Sequence, residues 1–151
     1  MALRGSLKME EVLSNKSQLT RNQIQERIMI ALYQYLFYIS ADEKPDISEL
    51  IMNVFGTSIN HIDAFAKQTI LAAIKNGPEA VEAITQYLKD FNFGRLNIVE
   101  QAILLLGYIE IKYMEQPKQV AINVCVKLAQ KFADHEAYKY INAVLENFAN
   151  E

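Results

Sequence analysis

The chain has 151 residues, 51% hydrophobic and 22% charged, which is enough apolar material for one domain with a real core and too much for a disordered chain. Its formal net charge of -3 gives no global pull toward nucleic acid or acidic membranes, so any such binding must rest on a local patch. The single cysteine, Cys125, excludes an intramolecular disulfide and a cysteine-rich metal site, and the scarcity of glycine and proline favours long helices over many short strands.

Residues 1–19 are polar and lack a long periodic pattern, which predicts a mobile arm with at most a short turn near Met9–Leu13. Thr20 and Gln23 then match a capping box at the start of a first helix. Ile24, Ile28, Leu32, Tyr35 and Ile39 share one face at helical spacing. Ile30, Tyr33 and Phe37 form a second apolar stripe, with Gln23, Arg27 and Gln34 in the polar strip between the two. A helix with two apolar faces either packs on both sides or offers one to a partner, a second copy of the chain included. After a loop over residues 40–46, Asp46 and Glu49 cap a second helix that stops at Gly56. Ser58 is expected to open a third, with Ile62, Phe65, Ala66, Ile70 and Ile74 inward, ending at Asn76-Gly77. Pro78 suits the first turn of a fourth, with Val81, Ile84 and Leu88 apolar.

The stretch Leu96–Ile111 is the most informative in the chain. From Ala102 to Ile109 it has no charge and only the Tyr108 hydroxyl as a polar group, so a helix there has no solvent face and must be wrapped by others. It falls short of the roughly 20 apolar residues that cross a bilayer. Asn97 is the expected N-cap, with Glu100 completing a capping box. Gly107 lowers helix propensity by roughly 1 kcal/mol and leaves room for a neighbouring helix to come close. Pro117 starts a sixth helix with Val120, Val124, Leu128 and Phe132 inward. Asp134 caps a seventh with Ile141, Leu145 and Phe148 inward. The expected fold is all-α, a compact single-domain bundle of about seven helices spanning residues 20–151 around a central buried helix. No signal peptide or membrane-spanning segment is legible, which points to a cytoplasmic protein.

Groups suited to catalysis are scarce. His61 and His135 have no metal-ligand partner at i+3 or i+4, no glycine-rich phosphate loop exists, and no G-x-S-x-G elbow is present. The expectation is a protein that is not an enzyme and carries neither metal nor cofactor.

The segments VEQAILLLGYIEI, QPKQVAINVCVKLAQKF and KYINAVLENF, spanning Val99 to Phe148, resemble the C-terminal half of the NusB family. Ala31-Leu32-Tyr33-Gln34, with Glu26 ahead of it, matches the family's first helix. The resemblance implies an all-helical, non-enzymatic transcription antitermination factor. It would bind boxA RNA together with NusE, a small-subunit ribosomal protein, and reach the RNA polymerase complex indirectly. Carried over residue by residue, it assigns Tyr33 and Glu100 to the NusE-facing surface, although Glu100 also reads as a cap and Tyr33 as a packed aromatic. For RNA it points to Arg21, Arg27, Tyr87 and Lys139. Asn22, Gln23 and Gln25 stand where the family usually has arginine, and Leu105, Ile109, Val124 and Ala143 also depart from its pattern. Each lost phosphate contact removes part of the salt-dependent affinity. A second expectation is therefore a diverged interaction adaptor with little or no intrinsic RNA binding.

Overall fold

Thr20 ends an extended segment and starts the longest helix: its hydroxyl accepts from the Gln23 backbone N–H at 3.2 Å, and the Gln23 side chain accepts from the Thr20 N–H at 2.8 Å. The expected capping box is thus formed. The structure is a computed structural model that describes residues 2–14, 18–89 and 92–148, with side chains described from Lys8 onward. Its helices are α1 (Ala2–Leu13), α2 (Arg21–Ser40), α3 (Ile47–Phe55), α4 (Ala64–Lys75), α5 (Gly77–Thr85), α6 (Ile98–Tyr113), α7 (Lys118–Phe132) and α8 (Ala137–Leu145). Among the described residues there is no strand, and no helix is long and apolar enough to cross a membrane.

The apolar run behaves as its composition demands. Every residue of α6 from Val99 to Ile111 is buried, and α2, α4, α5, α7 and α8 all pack on it. Tyr108 is buried among them with its hydroxyl donating to a Glu79 carboxylate oxygen at 2.9 Å, so the one polar group of the run is satisfied. A Cβ built on Gly107 would lie 2.7 Å and 2.9 Å from the two methyl carbons of Leu145 and 3.0 Å from Cys125 Sγ. Leu145 is itself fully buried and has nowhere to swing. Gly107→Ala gains roughly 1 kcal/mol of helix propensity and loses about 1–3 kcal/mol to overpacking. The expected result is a lower urea midpoint with an unchanged m-value; a higher midpoint would show that α8 gives way.

Several expectations are corrected. Residues 1–19 were expected as a mobile arm, but α1 occupies much of that stretch. Met9 is buried in the core, and Val12 and Leu13 pack beside it against α2 and α7, because the i, i+3, i+4 spacing of these three makes one short apolar stripe. The helix expected from Ser58 is broken. Ser58 heads only a single 3₁₀ turn, Ile59–His61, and Asp63 caps α4 anew by accepting from the Ala66 N–H at 3.1 Å. A second competing cap so close to the first splits the pattern. On α7 the inward stripe runs through Ala121, Ile122, Cys125, Leu128, Ala129 and Phe132, while Val120 is 45% exposed and Val124 only half-buried at the stripe's edge. Asp134 does not cap α8; its backbone carbonyl accepts from the Ala137 N–H in the preceding turn. At α3 the expectation holds, with Asp46 capping at Glu49 and Gly56 left-handed at φ 75°.

Candidate functional site

Two concavities flank the first turn of α6 and share a wall. The smaller, of about 260 Å³, lies between the C-terminal half of α2 and the α7–α8 turn, and is lined by Tyr33, Phe37, Val99 and Phe132 among others. Tyr33 and Phe37 stand one turn apart with ring centroids at 6.4 Å. Phe37 and the two residues after it, Tyr38 and Ile39, are exposed at 51%, 41% and 49%, an apolar patch at the C-terminal end of α2.

The larger concavity, of about 910 Å³, runs from the end of α5 across residues 95–97 to α8. Tyr87 is its most prominent wall. The ring is 41% exposed and is braced edge-to-face on Phe148 at 5.5 Å, which is braced in turn on Tyr108 at 4.9 Å. A part-exposed aromatic braced by a second ring is chemically suited to stack on a flat ring. Lys89 and Arg95, both exposed, add two cations to the rim, and Gln86 and Asn147 add amides. The groove therefore gathers a part-exposed ring, two cations and two amides in one place, together with the carboxylates of Glu100 and Asp134.

Leu96, Asn97, Glu100 and Asp134 line both concavities. Glu100 is buried, 8% exposed, and its Oε1 accepts from the Tyr140 hydroxyl at 2.7 Å. Burial first, then the carboxylates of Glu100 and Asp134, push the Tyr140 phenol far up, so it stays a donor at every physiological pH. The capping box expected at Asn97–Glu100 is absent: Asn97 makes no side-chain cap and its amide points to Asp134 at 3.5 Å, while Glu100 turns to Tyr140. A partner forty residues away outcompetes the local bond.

The residues expected to bind RNA are not gathered in one place. Tyr87 lines the large groove. Arg21, at the start of α2, lays its guanidinium over the Phe65 ring at 3.9 Å. Lys139 sits on α8 in an ion pair with Glu136 at 2.7 Å. Arg27 is buried at 6% exposure and donates to the Val54 carbonyl at 2.9 Å and the Val12 carbonyl at 3.3 Å, so it is not presented to a phosphate. Of the two residues expected to face a partner, Tyr33 and Glu100, both line the smaller concavity. Sequence reasoning missed Lys89 and Arg95. Their signal was the alternation of aromatic and cation in Tyr87-Leu88-Lys89 and the lone cation between Gly94 and the apolar run.

Cys125 is buried, and its thiol is pushed well up by burial and by the charge of Glu110. His61 and His135 are both exposed, and among the described residues no cluster of potential metal ligands forms.

The NusB family model matches residues 22–150. The transcription antitermination protein NusB of Pediococcus pentosaceus is 36% identical over 135 residues, covering 87% of this chain and 98% of its own. That of Macrococcus caseolyticus is 37% identical over 112 residues, covering 74% and 85%. Among solved structures, T. maritima NusB superposes with a TM-score of 0.72 at 21% identity, over 86% of this chain and 90% of its own. A structure of the antitermination factors NusB and NusE in complex with dsRNA superposes at 0.70 and 23% identity, over 83% and 92%. The last two establish likeness of fold.

Proposed function

The chain belongs to the NusB family, and from that membership we propose that it acts in transcription antitermination, binding boxA-type RNA together with NusE. The observation that carries the reading is the pair of concavities meeting at Glu100. The smaller, with the exposed end of α2 beside it, has the aromatic character of a protein-binding face. The larger has the stacking ring, cations and amides that suit single-stranded RNA. The function so read is non-enzymatic and cytoplasmic, and reaches RNA polymerase only through the assembled complex. Residues 20–151 carry it, with α1 packed against that unit through Met9.

A gel shift with boxA RNA, run with and without NusE at low salt, tests the reading. A retarded band in the presence of NusE is expected, and no shift in either lane sinks it. Tyr33→Ala is expected to weaken NusE binding by about tenfold, the scale of one aromatic anchor of moderate worth. One observation favours the second reading, an adaptor without intrinsic RNA binding. At the start of α2 the exposed basic set reduces to Arg21, because Arg27, further along the helix, is buried and bonded to two carbonyls. Lys89→Ala and Arg95→Ala separate the two. Under RNA binding each lowers the log–log salt slope by about 1; under the adaptor reading neither changes it.

A further inference from the structure

Glu110 stands in the last turn of α6, fully buried, where the negative end of the helix dipole adds to the cost of its charge. The side chains that hydrogen-bond it are neutral amides. Gln25 Nε2 on α2 donates to both oxygens, at 3.1 and 2.9 Å, and Gln116 adds a bond from the turn after α6. Gln25 Oε1 is buried with no partner among the described residues, an acceptor that a protonated carboxyl can serve and a carboxylate cannot. From α7 the Cys125 thiol lies close by, itself held neutral. The cation that favours ionisation of Glu110 is Arg21. It lies one turn before Gln25 on the same face of α2, exposed to solvent, with its guanidinium over the Phe65 ring of α4. Arg21 thus serves a buried carboxyl on one side and is open to an incoming anion on the other.

We infer that an RNA phosphate bound at Arg21 drives uptake of a proton by Glu110, so that RNA binding strengthens as pH falls. The inference rests on the RNA reading given above. Burial holds the Glu110 carboxyl at about 7 in the free chain, so both of its forms are populated near neutral pH. The ionised form shares the field of Arg21 and repels a phosphate arriving at the guanidinium; the neutral form leaves that charge to the phosphate. A bound phosphate therefore raises the pH at which Glu110 titrates, and a proton passes from solvent to its carboxylate oxygen. Affinity is full well below pH 7, falls as pH rises through the free value and then the bound one, and levels out above both. Glu110 never touches the RNA; it acts through Arg21.

The test is an anisotropy titration of a labelled boxA RNA oligonucleotide with the full chain, NusE at saturation and ionic strength fixed, at pH 6 and pH 8. Wild-type affinity is expected to fall about three- to tenfold between the two. Glu110→Gln should fall by less than about twofold, and Arg21→Ala should bind more weakly at both and lose the pH dependence as well. Calorimetry near pH 7 in two buffers of different ionisation enthalpy counts the proton directly, with more taken up by wild type than by Glu110→Gln. A fall of equal size in wild type and Glu110→Gln overturns the inference and leaves the RNA reading intact, since the exposed His61 and His135 are common to both proteins. A full pH dependence in Arg21→Ala overturns it too. A wild type that binds RNA at neither pH removes the RNA reading and the inference together.

Discussion

Glu110→Gln is expected to stabilise the protein by about 3 kcal/mol above pH 7 and to leave it unchanged near pH 4.5. Glu110 has no exposure to solvent, and burial pushes its carboxyl up to about 7 from an ordinary 4.5. The groups that face it oppose this only in part. Gln25 Nε2 on α2 donates to its two oxygens at 3.1 and 2.9 Å, Gln116 adds a further hydrogen bond, and the charge of Arg21 helps from the start of α2. On the other side lies the Cys125 thiol of α7, itself held neutral. Gln25 Oε1 is buried with no partner, whereas a protonated carboxyl has an O–H to offer an acceptor. Because the folded value is raised, the unfolded chain releases this proton first as pH climbs. The stability tied to Glu110 is full below about pH 4.5, falls as pH rises through about 7, and stays lost above it. A glutamine carries no charge to desolvate and can pair with Gln25 by donating and accepting. Thermal unfolding of wild type and variant at pH 5 and pH 8 checks this. The gap in Tm should open to roughly 6–12 °C at pH 8, and a gap equal at both pH values refutes the assignment.

The features read correctly from the sequence are those whose cause lies within one turn of helix. Thr20–Gln23, Asp46–Glu49 and the left-handed Gly56 are local bonds and local sterics, and they appear where the spelling puts them. The burial of α6 was equally plain, since a run with no polar face has only one fate. What was not legible depends on partners far along the chain. Glu100 has the spacing of a capping residue, yet Tyr140 lies forty residues on and takes its carboxylate instead. Val120 and Ala121 are adjacent apolar residues, and only the position of α6 and α8 decides which one turns inward. The candidate site shows the same division. Tyr87 is pointed to only by the family resemblance, and the groove around it is assembled from separated segments that no local pattern joins. Nothing in the spacing of Tyr33 and Glu100 says that they line one cavity.

Arg27 shows most sharply why a cation counted in a sequence is not a phosphate contact. Its guanidinium reaches Val54 in the last turn of α3 and Val12 near the end of α1, both at helix C-termini. The last carbonyls of a helix lack intrahelical donors and carry the negative end of its dipole. One buried guanidinium on α2 therefore satisfies two such ends and ties α1 and α3 to the same helix. Burial lowers its pKa, and the neighbouring Glu26 charge acts the other way. Arg27→Ala removes hydrogen bonds to a charged donor worth roughly 1.5–3 kcal/mol each, one of them long, so a net loss of about 3 kcal/mol is expected. Arg27→Lys should recover less than half of that, because an ammonium cannot reproduce the planar fork that reaches two carbonyls at once. Urea unfolding of the three proteins measures both values. RNA binding, measured where the variant remains folded, supplies the opposite control. With 6% exposure the guanidinium offers nothing to a phosphate, so the log–log salt slope of Arg27→Ala should equal that of wild type. A slope smaller by about 1 would mean that α1 lifts away and hands Arg27 to the RNA, and the structural role described for it would fall.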